Sequence, residues 1–199
     1  MDGNRRYAKD NSISIAAGYL AGAKALVKIL DTCFDCGVNI VSLYAFSLEN
    51  FNRPKEQVDV LMKLLEGSLG EMGENDPLVK KHNLRIRVLG RLELLEDHVL
   101  RAISKTMNAT KNNRGKIVNI CVAYTGRDEI ASAIRETVAG SGFPSKIAAK
   151  SLTENMFIGF PPLDLLIQVV AMNWPDFGRW DIGLILLRWQ SRKRALAYV

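Results

Sequence analysis

The sequence predicts an α/β domain in which helices cover an open, mostly parallel sheet. Three observations predict this fold class. Apolar residues return at helical spacing in several segments, short runs rich in apolar and β-branched residues lie between those segments, and polar loops follow the runs. Strands that alternate with helices in this way form a parallel sheet. The chain has 199 residues, 48% of them hydrophobic, so we expect residues 1–199 to form a single domain around one core.

The elements of the first half of the chain follow from its apolar pattern. Residues from about 15 to 36 carry apolar side chains at helical spacing, and Gly37 ends this predicted helix. Residues 38–46 are rich in β-branched and aromatic side chains and predict a strand. A polar loop over residues 47–54 follows, and Pro54 then begins a helix that extends to about residue 72.

The second half repeats the alternation of strands and helices. After a loop near residues 73–77, basic and apolar residues alternate over 84–89, as they do in a strand. The remaining predicted elements are a helix over 96–110, a strand over 116–123, a loop over 124–127 and a helix that ends near residue 139. Ligands of parallel sheets bind at the carboxyl ends of the strands, which is where the loops 47–54 and 124–127 fall.

Composition narrows the classes of function. The formal net charge of +6 and the isoelectric point near 9.3 suit a protein that binds anions. We expect no binding of nucleic acid, because no basic helix face or cluster of stacking aromatic residues accompanies the charge. Three cysteines fit a reducing compartment, and Cys33-x-x-Cys36 has no second ligand pair nearby, so we expect neither a zinc nor a redox site. We expect both histidines, His82 and His98, at the surface.

Two features bear on membranes. No signal peptide is visible, and the longest apolar run near the C-terminus, residues 182–187, is too short to span a bilayer. The basic segment over residues 188–194 suits a solvated helix end. Attraction to an anionic membrane face is the alternative, so peripheral association stays open.

The first nine residues, Met1–Lys9, are the candidate binding site for a metal-bound diphosphate. Asp2 offers a hard oxygen ligand for Mg²⁺. The backbone N–H groups of Gly3 and Asn4 at a helix start point toward an anion, and Arg5 and Arg6 add planar donors for phosphate oxygens. The alternative is a disordered terminus with a chance pair of basic residues.

The two strand-end loops hold the other candidate residues. The loop 47–54 presents Ser47, Glu49, Asn50 and Arg53, which together are able to bind diphosphate oxygens and a migrating proton. The alternative is a helix cap ahead of Pro54. In the second loop Arg127 is a weaker candidate for the same anion.

These motifs together resemble the cis-prenyltransferase family, the undecaprenyl and dehydrodolichyl diphosphate synthases. The matching segments are residues 1–9, 44–53, 87–90, Asn119 with 124–130, 164–167 and 174–177, which span nearly the whole chain in the family's order. Residues 81–83 and the Asn-Arg-Arg-Tyr form of the first motif resemble the eukaryotic dolichol-type branch.

The resemblance implies a reaction, the condensation of isopentenyl diphosphate onto an allylic diphosphate with each new double bond cis. In that reading Asp2 carries Mg²⁺, which promotes departure of the diphosphate. Ser47 and Asn50 position isopentenyl diphosphate and relay its proton. The residues that would hold the allylic diphosphate are Gly3, Asn4, Arg5, Arg6 and Arg53.

The resemblance also implies features beyond the reacting groups. The growing chain needs an apolar tunnel between helix and sheet, with Phe46 and Phe51 along its route. A homodimer or a heterodimer with a related subunit is expected, in the cytoplasm or on the cytoplasmic face of the endoplasmic reticulum.

The chain departs from the family's pattern at several places. The first strand of the sheet is expected to be missing, Tyr19 stands in place of a histidine, and Ile15 stands in place of an arginine. After Ile167 the family's Arg-x-Ser-Gly-Glu-x-Arg-x-Ser segment, with the strand and helix that follow it, is absent; either the chain is a natural shortened form or the given sequence omits the segment. We therefore expect a weakened isopentenyl diphosphate site and reduced stability or dependence on a partner. The competing hypothesis is a weak or inactive member that serves as a binding subunit.

Overall fold

The structure is a computed structural model that describes residues 3–73, 75–140, 149–159, 161, 163–168 and 172–196. Its helices and strands alternate along most of the chain. In chain order they are α1 (Asn4–Asp10), α2 (Ile15–Asp35), β1 (Ile40–Tyr44), α3 (Lys55–Glu71), α4 (Pro77–His82), β2 (Arg85–Leu89), α5 (Asp97–Thr110), β3 (Ile117–Cys121), α6 (Gly126–Gly140), α7 (Ala149–Glu154) and α8 (Arg179–Leu196). Short 3₁₀ turns lie at Leu48–Asn52, Leu92–Leu94 and Trp174–Asp176.

The described residues form one three-stranded sheet in the order β1-β3-β2, and all its strands are parallel. Ile120 at the centre pairs with Leu43 on one side and Val88 on the other. Because the strands are parallel, their carboxyl ends lie at one edge of the sheet. A bridge between Ser47 and Tyr124 joins the two loops that leave this edge. The α/β fold class is confirmed.

Two apolar clusters hold the helices to the sheet. The larger one joins the sheet to α3, α4 and α5 and includes fully buried Leu30, Leu84 and Val99. The smaller one packs α2 against α8, through Ile29 and Cys33 on α2 and residues of the C-terminal part of the chain. Its C-terminal members are Trp174, Phe177, Ile182 and Leu186. Helix α2 therefore lies between the sheet and the C-terminal helix.

The predicted elements agree with the structure except in two loops. Helix α4 occupies part of the stretch between residues 73 and 84, and begins because the Asp76 carboxylate accepts hydrogen bonds from the N–H groups of Leu78 (2.8 Å) and Val79 (3.0 Å). The loop 47–54 contains a 3₁₀ turn. Both elements are too short to produce a visible apolar period.

The prediction of a surface position is wrong for His82, whose side chain is only 8% exposed. Its Nε2 lies 2.8 Å from the Asp31 carboxylate, and its ring packs on Phe34 with centroids 5.2 Å apart. Helix α4 turns this side chain inward, which a loop would not have done. His98 stays partly exposed between Glu66 and Glu96.

No single helix in the described part of the chain is long and apolar enough to cross a membrane. Helices α1 and α2 together reach the necessary length and composition, but they meet at a bend of 119°.

Candidate functional site

A cavity of about 780 Å³ lies between α2, α3 and the sheet. Such a volume falls within the range of about 300–1,000 Å³ that is usual for small-molecule sites. Its apolar lining consists of Leu20, Ala23, Leu26 and Val27 of α2, Leu61, Leu64, Leu65 and Leu69 of α3 with Met72 just after that helix, and Leu43, Ala45, Val118 and Ile120 of the sheet region. The α3 residues from Leu61 to Leu69 span about 12 Å of helix at 1.5 Å per residue, so this wall suits an elongated apolar ligand.

Basic residues line the same cavity where α1 and the loop before α3 approach it. Arg5, Arg6 and Lys9 come from α1, Lys24 comes from α2, and Arg53 precedes α3. Polar Asn50 and Tyr19 also line the wall. The cavity therefore combines several cations with a long apolar wall, which is the complement of a ligand with an anionic head and an apolar tail.

Glycines allow α1 to lie directly on α2. Gly3 has φ +86°, and a Cβ there would approach Asn173 Cα to 2.8 Å, so only glycine fits at the start of α1. A Cβ on Gly18 would come within 2.6 Å of the Asn4 carbonyl oxygen, and one on Gly22 within 2.2 Å of Asn4 Oδ1. The small-residue face of α2 therefore fixes where the first motif meets the cavity.

Asn4 lines the cavity and has an unpaired polar atom. Its Oδ1 is buried and makes no hydrogen bond to any described residue. A buried polar atom without a partner costs free energy, about 1–3 kcal/mol. The unpaired oxygen lies against Gly22, so the contact between α1 and α2 leaves one acceptor of Asn4 without a donor.

Residues far apart in the sequence orient two of the arginines. Arg6 Nε donates to Asn173 Oδ1 at 2.7 Å, and the Asn173 amide donates to Asp10 at 3.3 Å. Arg53 Nη1 donates to the Tyr19 hydroxyl at 3.3 Å. Tyr19, which replaces the expected histidine, therefore remains part of the site through Arg53.

The loop after β1 joins the site only in part. Asn50 lines the cavity, whereas Ser47 does not. Ser47 Oγ accepts from the Glu49 N–H, and Ser47 N–H donates to Asn50 Oδ1, both at 3.2 Å, which forms a capping box on the 3₁₀ turn. The capping alternative is therefore present in the structure, and it holds Asn50 in place.

Two predicted aromatic residues pack beside the cavity. Phe46 is buried, and its ring lies 4.9 Å from the ring of half-buried Phe51, edge to face. Both contact the main core, and neither is among the residues that line the cavity.

Arg127 lies away from the cavity residues. It is exposed on the first turn of α6. Hydrogen bonds of the next two residues, Asp128 and Glu129, hold this turn in place. Buried Glu129 accepts from the Tyr124 hydroxyl and from the Ile158 N–H, and Asp128 accepts from Arg91. Burial, and then the bond to Glu129, raises the pKa of Tyr124 well above its usual range.

Asp2, the predicted magnesium ligand, lies outside the described residues. The adjacent residues Gly3 and Asn4 both line the cavity. A different group, Asp31, Asp35 and His82, has its ligand atoms within 4.8 Å of one another. Lys81 already binds both of these carboxylates, at 2.7 and 2.9 Å, so this group clamps α2 to α4 by ion pairs.

Of the Cys-x-x-Cys pair, Cys33 has the features of a structural cysteine. Cys33 is buried in the cluster between α2 and α8, and Cys36 is exposed. Burial, and then the neighbouring Cys36, raises the pKa of the Cys33 thiol to about 11. A buried thiol with a raised pKa is a poor nucleophile.

Sequence reasoning assigned no role in the cavity to Lys24, Asn173 or Trp174. Trp174 lines the cavity, and its indole Nε1 donates to the Gly22 carbonyl at 3.0 Å. Asn173 and Trp174 reach the site only when the C-terminal segment packs on α1 and α2, so no local pattern indicates them. Lys9 belongs to the predicted first motif, and it lines the cavity with Arg5 and Arg6.

A cationic rim on an elongated apolar cavity beside a parallel sheet fits a protein that binds a ligand with an anionic head and a long apolar tail. Comparison with known proteins gives the same result. The family model described as putative undecaprenyl diphosphate synthase matches residues 1–171, and the chain belongs to this family of cis-prenyltransferases.

Sequence relatives include dehydrodolichyl diphosphate synthase subunits, and a solved structure shares the fold. The chain is 33% identical to a dehydrodolichyl diphosphate synthase complex subunit of Schizosaccharomyces pombe, over 98% of this chain and 84% of the relative. It is 33% identical to the corresponding human complex subunit, over 98% of this chain and 67% of the relative. The crystal structure of lavandulyl diphosphate synthase from Lavandula x intermedia, in complex with dimethylallyl diphosphate, superposes with a TM-score of 0.81. That match has 22% identity and covers 95% of this chain and 92% of the other, and it shows the shared fold.

The alignments also bear on the missing segment. Each of the two sequence alignments runs over more than 220 residues, whereas this chain has 199. Residues of the relatives therefore lie opposite gaps in this chain.

Proposed function

We propose that this chain is a magnesium-dependent cis-prenyltransferase that condenses isopentenyl diphosphate onto an allylic diphosphate, such as farnesyl diphosphate, to make a long-chain polyprenyl diphosphate of the dehydrodolichyl type. One observation carries the proposal: in a member of this family, the first motif and Arg53 line the same cavity as the apolar residues of α2, α3 and the sheet.

The allylic diphosphate is proposed to bind at the basic part of the cavity. Arg5, Arg6 and Arg53 offer planar guanidinium donors to its oxygens. Gly3 and Asn4 lie beside them at the start of α1, and the side-chain N–H groups of Asn4 are proposed to donate to the same oxygens. The tail would then lie along α3, with Phe46 and Phe51 supporting the wall from behind.

Magnesium is proposed to bind through Asp2. The surroundings fit such a site, because the residues next to Asp2 line the cavity in which the diphosphate is proposed to bind, and the Asn4 Oδ1 atom there is an oxygen without a hydrogen-bond donor. When bound, Mg²⁺ supplies charge neutralisation for the departing diphosphate.

Isopentenyl diphosphate is proposed to be positioned by Asn50 and Ser47. The capping box holds each of these two side chains on the backbone of the 3₁₀ turn, and the Ser47 hydroxyl is proposed to relay the proton that is lost as the double bond forms. Arg127 is the weakest member of the proposed set because it lies outside the cavity lining. If Arg127→Ala lowers the rate of prenyl transfer, Arg127 has a role in binding isopentenyl diphosphate. If the rate is unchanged, Arg127 is not part of the site.

A second candidate function is that of a binding subunit with little activity of its own. The departure from the family's pattern after Ile167 favours it, since the segment expected there would supply arginines for isopentenyl diphosphate. The described residues 163–168 form no helix or strand, and Leu163 and Leu166 are 70% and 75% exposed. The relatives from fission yeast and human are named as complex subunits. We propose pairing with a related subunit or a second copy, and peripheral attachment at the cytoplasmic face of the endoplasmic reticulum.

The test is prenyl transfer by the whole chain from labelled isopentenyl diphosphate to farnesyl diphosphate, with Mg²⁺ and after chelation by EDTA, beside Asp2→Ala and Arg53→Ala. We expect chain-extended product that needs Mg²⁺ and Asp2, and a roughly ten- to hundredfold higher KM for farnesyl diphosphate with Arg53→Ala, because a hydrogen bond to a charged group contributes about 1.5–3 kcal/mol. No product, with magnesium-dependent binding of farnesyl diphosphate retained, would favour the binding subunit. Loss of both would refute the proposed site.

A further inference from the structure

Helix α8 has an apolar face on each side. Its inner face packs against α2 through Ile182 and Leu186, which are 2% and 4% exposed. On the opposite side Trp180, Leu184 and Leu187 are 80%, 57% and 62% exposed. The inner face alone accounts for docking of the helix, so the outer face has no role in the fold as described.

The outer residues form one continuous stripe. Trp180, Leu184 and Leu187 are four and three residues apart, and at 3.6 residues per turn they lie on the same side of the helix. We call these three residues the α8 stripe. Trp180 is the most exposed large apolar side chain among the described residues.

The charges on α8 are almost all of one sign. The helix contains Arg179, Arg188, Arg192, Lys193 and Arg194 against a single acidic residue, Asp181. Asp181 already accepts a hydrogen bond from the Gly178 N–H at 2.8 Å. Arg188 and Arg192 are exposed and lie beside the stripe at helical spacing. The stripe is thus flanked by cations that no acidic residue of the helix neutralises.

Helix α6 offers a contrast within the same molecule. Its Ile130, Ile134 and Val138 are 55%, 43% and 50% exposed and also form a stripe. The polar residues around that stripe carry both signs, as Arg127, Asp128, Arg135 and Glu136 show. Mixed charge suits a protein surface, whereas an apolar stripe with tryptophan and flanking arginines suits the headgroup region of an anionic bilayer.

We propose that the α8 stripe binds an anionic membrane surface, with Trp180, Leu184 and Leu187 inserted at the level of the headgroups and Arg188 and Arg192 paired with lipid phosphates or carboxylates. Long arginine side chains reach the headgroups while the apolar stripe enters the boundary with the acyl chains. This inference rests on the membrane association proposed above, and it names the surface responsible.

Vesicle sedimentation of the full chain tests the inference. The probes are phosphatidylcholine vesicles and vesicles in which about one third of the lipid is phosphatidylserine, each at low and high salt. The variants are the exposed pair Trp180→Ser with Leu187→Ser, the pair Arg188→Gln with Arg192→Gln, and the matched control pair Ile130→Ser with Ile134→Ser. Prenyl transfer in detergent is measured on each of them.

We expect the unaltered chain to bind the anionic vesicles in a salt-sensitive way. The stripe pair should lose at least about tenfold in partitioning, and the α6 pair should show no change. The arginine pair should lose a similar factor on anionic vesicles, since each arginine near an anionic surface contributes about 1 kcal/mol. Vesicle binding that persists in the stripe pair refutes the role of α8 but leaves membrane association standing. No vesicle binding by the unaltered chain refutes both. If the stripe pair instead dissociates an oligomer in the absence of lipid, the face binds protein and the inference is wrong. Transfer in detergent reports the proposed enzyme activity separately from all of these outcomes.

Discussion

Replacing Gly22 with alanine should leave the stability of the protein nearly unchanged and impair the function of the cavity. The added Cβ would lie 2.2 Å from Asn4 Oδ1 and 3.2 Å from Trp174 Cδ1. The first distance is impossible, so Asn4 must move, whereas the second requires a shift of only a few tenths of an ångström. The Asn4 oxygen makes no hydrogen bond to the described residues, so moving it breaks little structure.

The magnitudes follow from these contacts. Alanine in a helix interior is more stable than glycine by about 0.5–1 kcal/mol, which offsets the displacement of Asn4, so we expect the free energy of unfolding to change by less than about 1 kcal/mol. If Asn4 binds the diphosphate, its displacement costs about 1.5–3 kcal/mol, or roughly ten- to hundredfold in kcat/KM. Stability is measured by urea unfolding, and activity by transfer of labelled isopentenyl diphosphate. Where the chain alone shows no transfer, binding of farnesyl diphosphate replaces kcat/KM.

Two controls make this prediction specific. Gly67→Ala makes the same change in α3, where no heavy atom lies within 4 Å of the new Cβ, and it should stabilise the chain and leave activity unaltered. If Gly22→Ala acts through Asn4, the double variant with Asn4→Ala should be no worse than Asn4→Ala alone. Full activity in Gly22→Ala, or additive losses in the double variant, would refute the role assigned to Asn4.

Three further predictions address the cavity, the clamp and the thiols. Leu65→Trp should fill part of the apolar cavity and shorten the prenyl products seen by thin-layer chromatography, whereas Leu65→Met should leave their length unchanged. Products of equal length from both variants would mean that the growing prenyl chain does not lie in this cavity. Hydrogen bonds from Lys81 and then His82 lower the pKa of Asp31 from its ordinary 3.8. The contribution of Asp31 to the free energy of unfolding is therefore present above about pH 4, and it is lost as the pH falls through the lowered pKa of the folded state. Asp31→Asn should therefore lower stability at pH 6 by less than about 1 kcal/mol, because the pair is partly exposed, and should make acid unfolding less steep below pH 4; an unchanged acid limb would contradict the clamp. Iodoacetamide should label Cys36 quickly and buried Cys33 and Cys121 only on unfolding, and mass spectrometry showing rapid labelling of Cys33 would contradict its burial.

The sequence predicted the main helices and strands well because their patterns are local. The apolar period of residues 15–36 and the β-branched run of 38–46 each reflect one surface that must be buried, and α2 and β1 lie within those limits. The parallel sheet also followed from alternation alone. Helix α4 and the 3₁₀ turn at Leu48–Asn52 were missed because capping hydrogen bonds, rather than an apolar face, produce them.

The candidate site was predictable only in its outline. The sequence singled out Asn4, Arg6 and Arg53 by residue type and motif, and the structure places all three on one cavity. It could not indicate that Asn173 orients Arg6 or that Tyr19 holds Arg53, because these partners meet only when α1, α2 and the C-terminal segment pack together. The inward position of His82 has the same origin.

The sequence by itself therefore determined the fold class, the family and the chemical character of the two ends of the ligand. These properties depend on local periodicity and on motifs whose residues are neighbours in the chain. The tertiary structure alone decided that the cations and the apolar wall share one cavity, that Phe46, Phe51 and Arg127 lie outside its lining, and that α8 presents a second apolar face to solvent. These properties depend on close packing between segments that are distant in the sequence, such as those of Gly22 and Trp174. Because Gly22 has no Cβ, the side chains of Asn4 and Trp174 are able to pack against it.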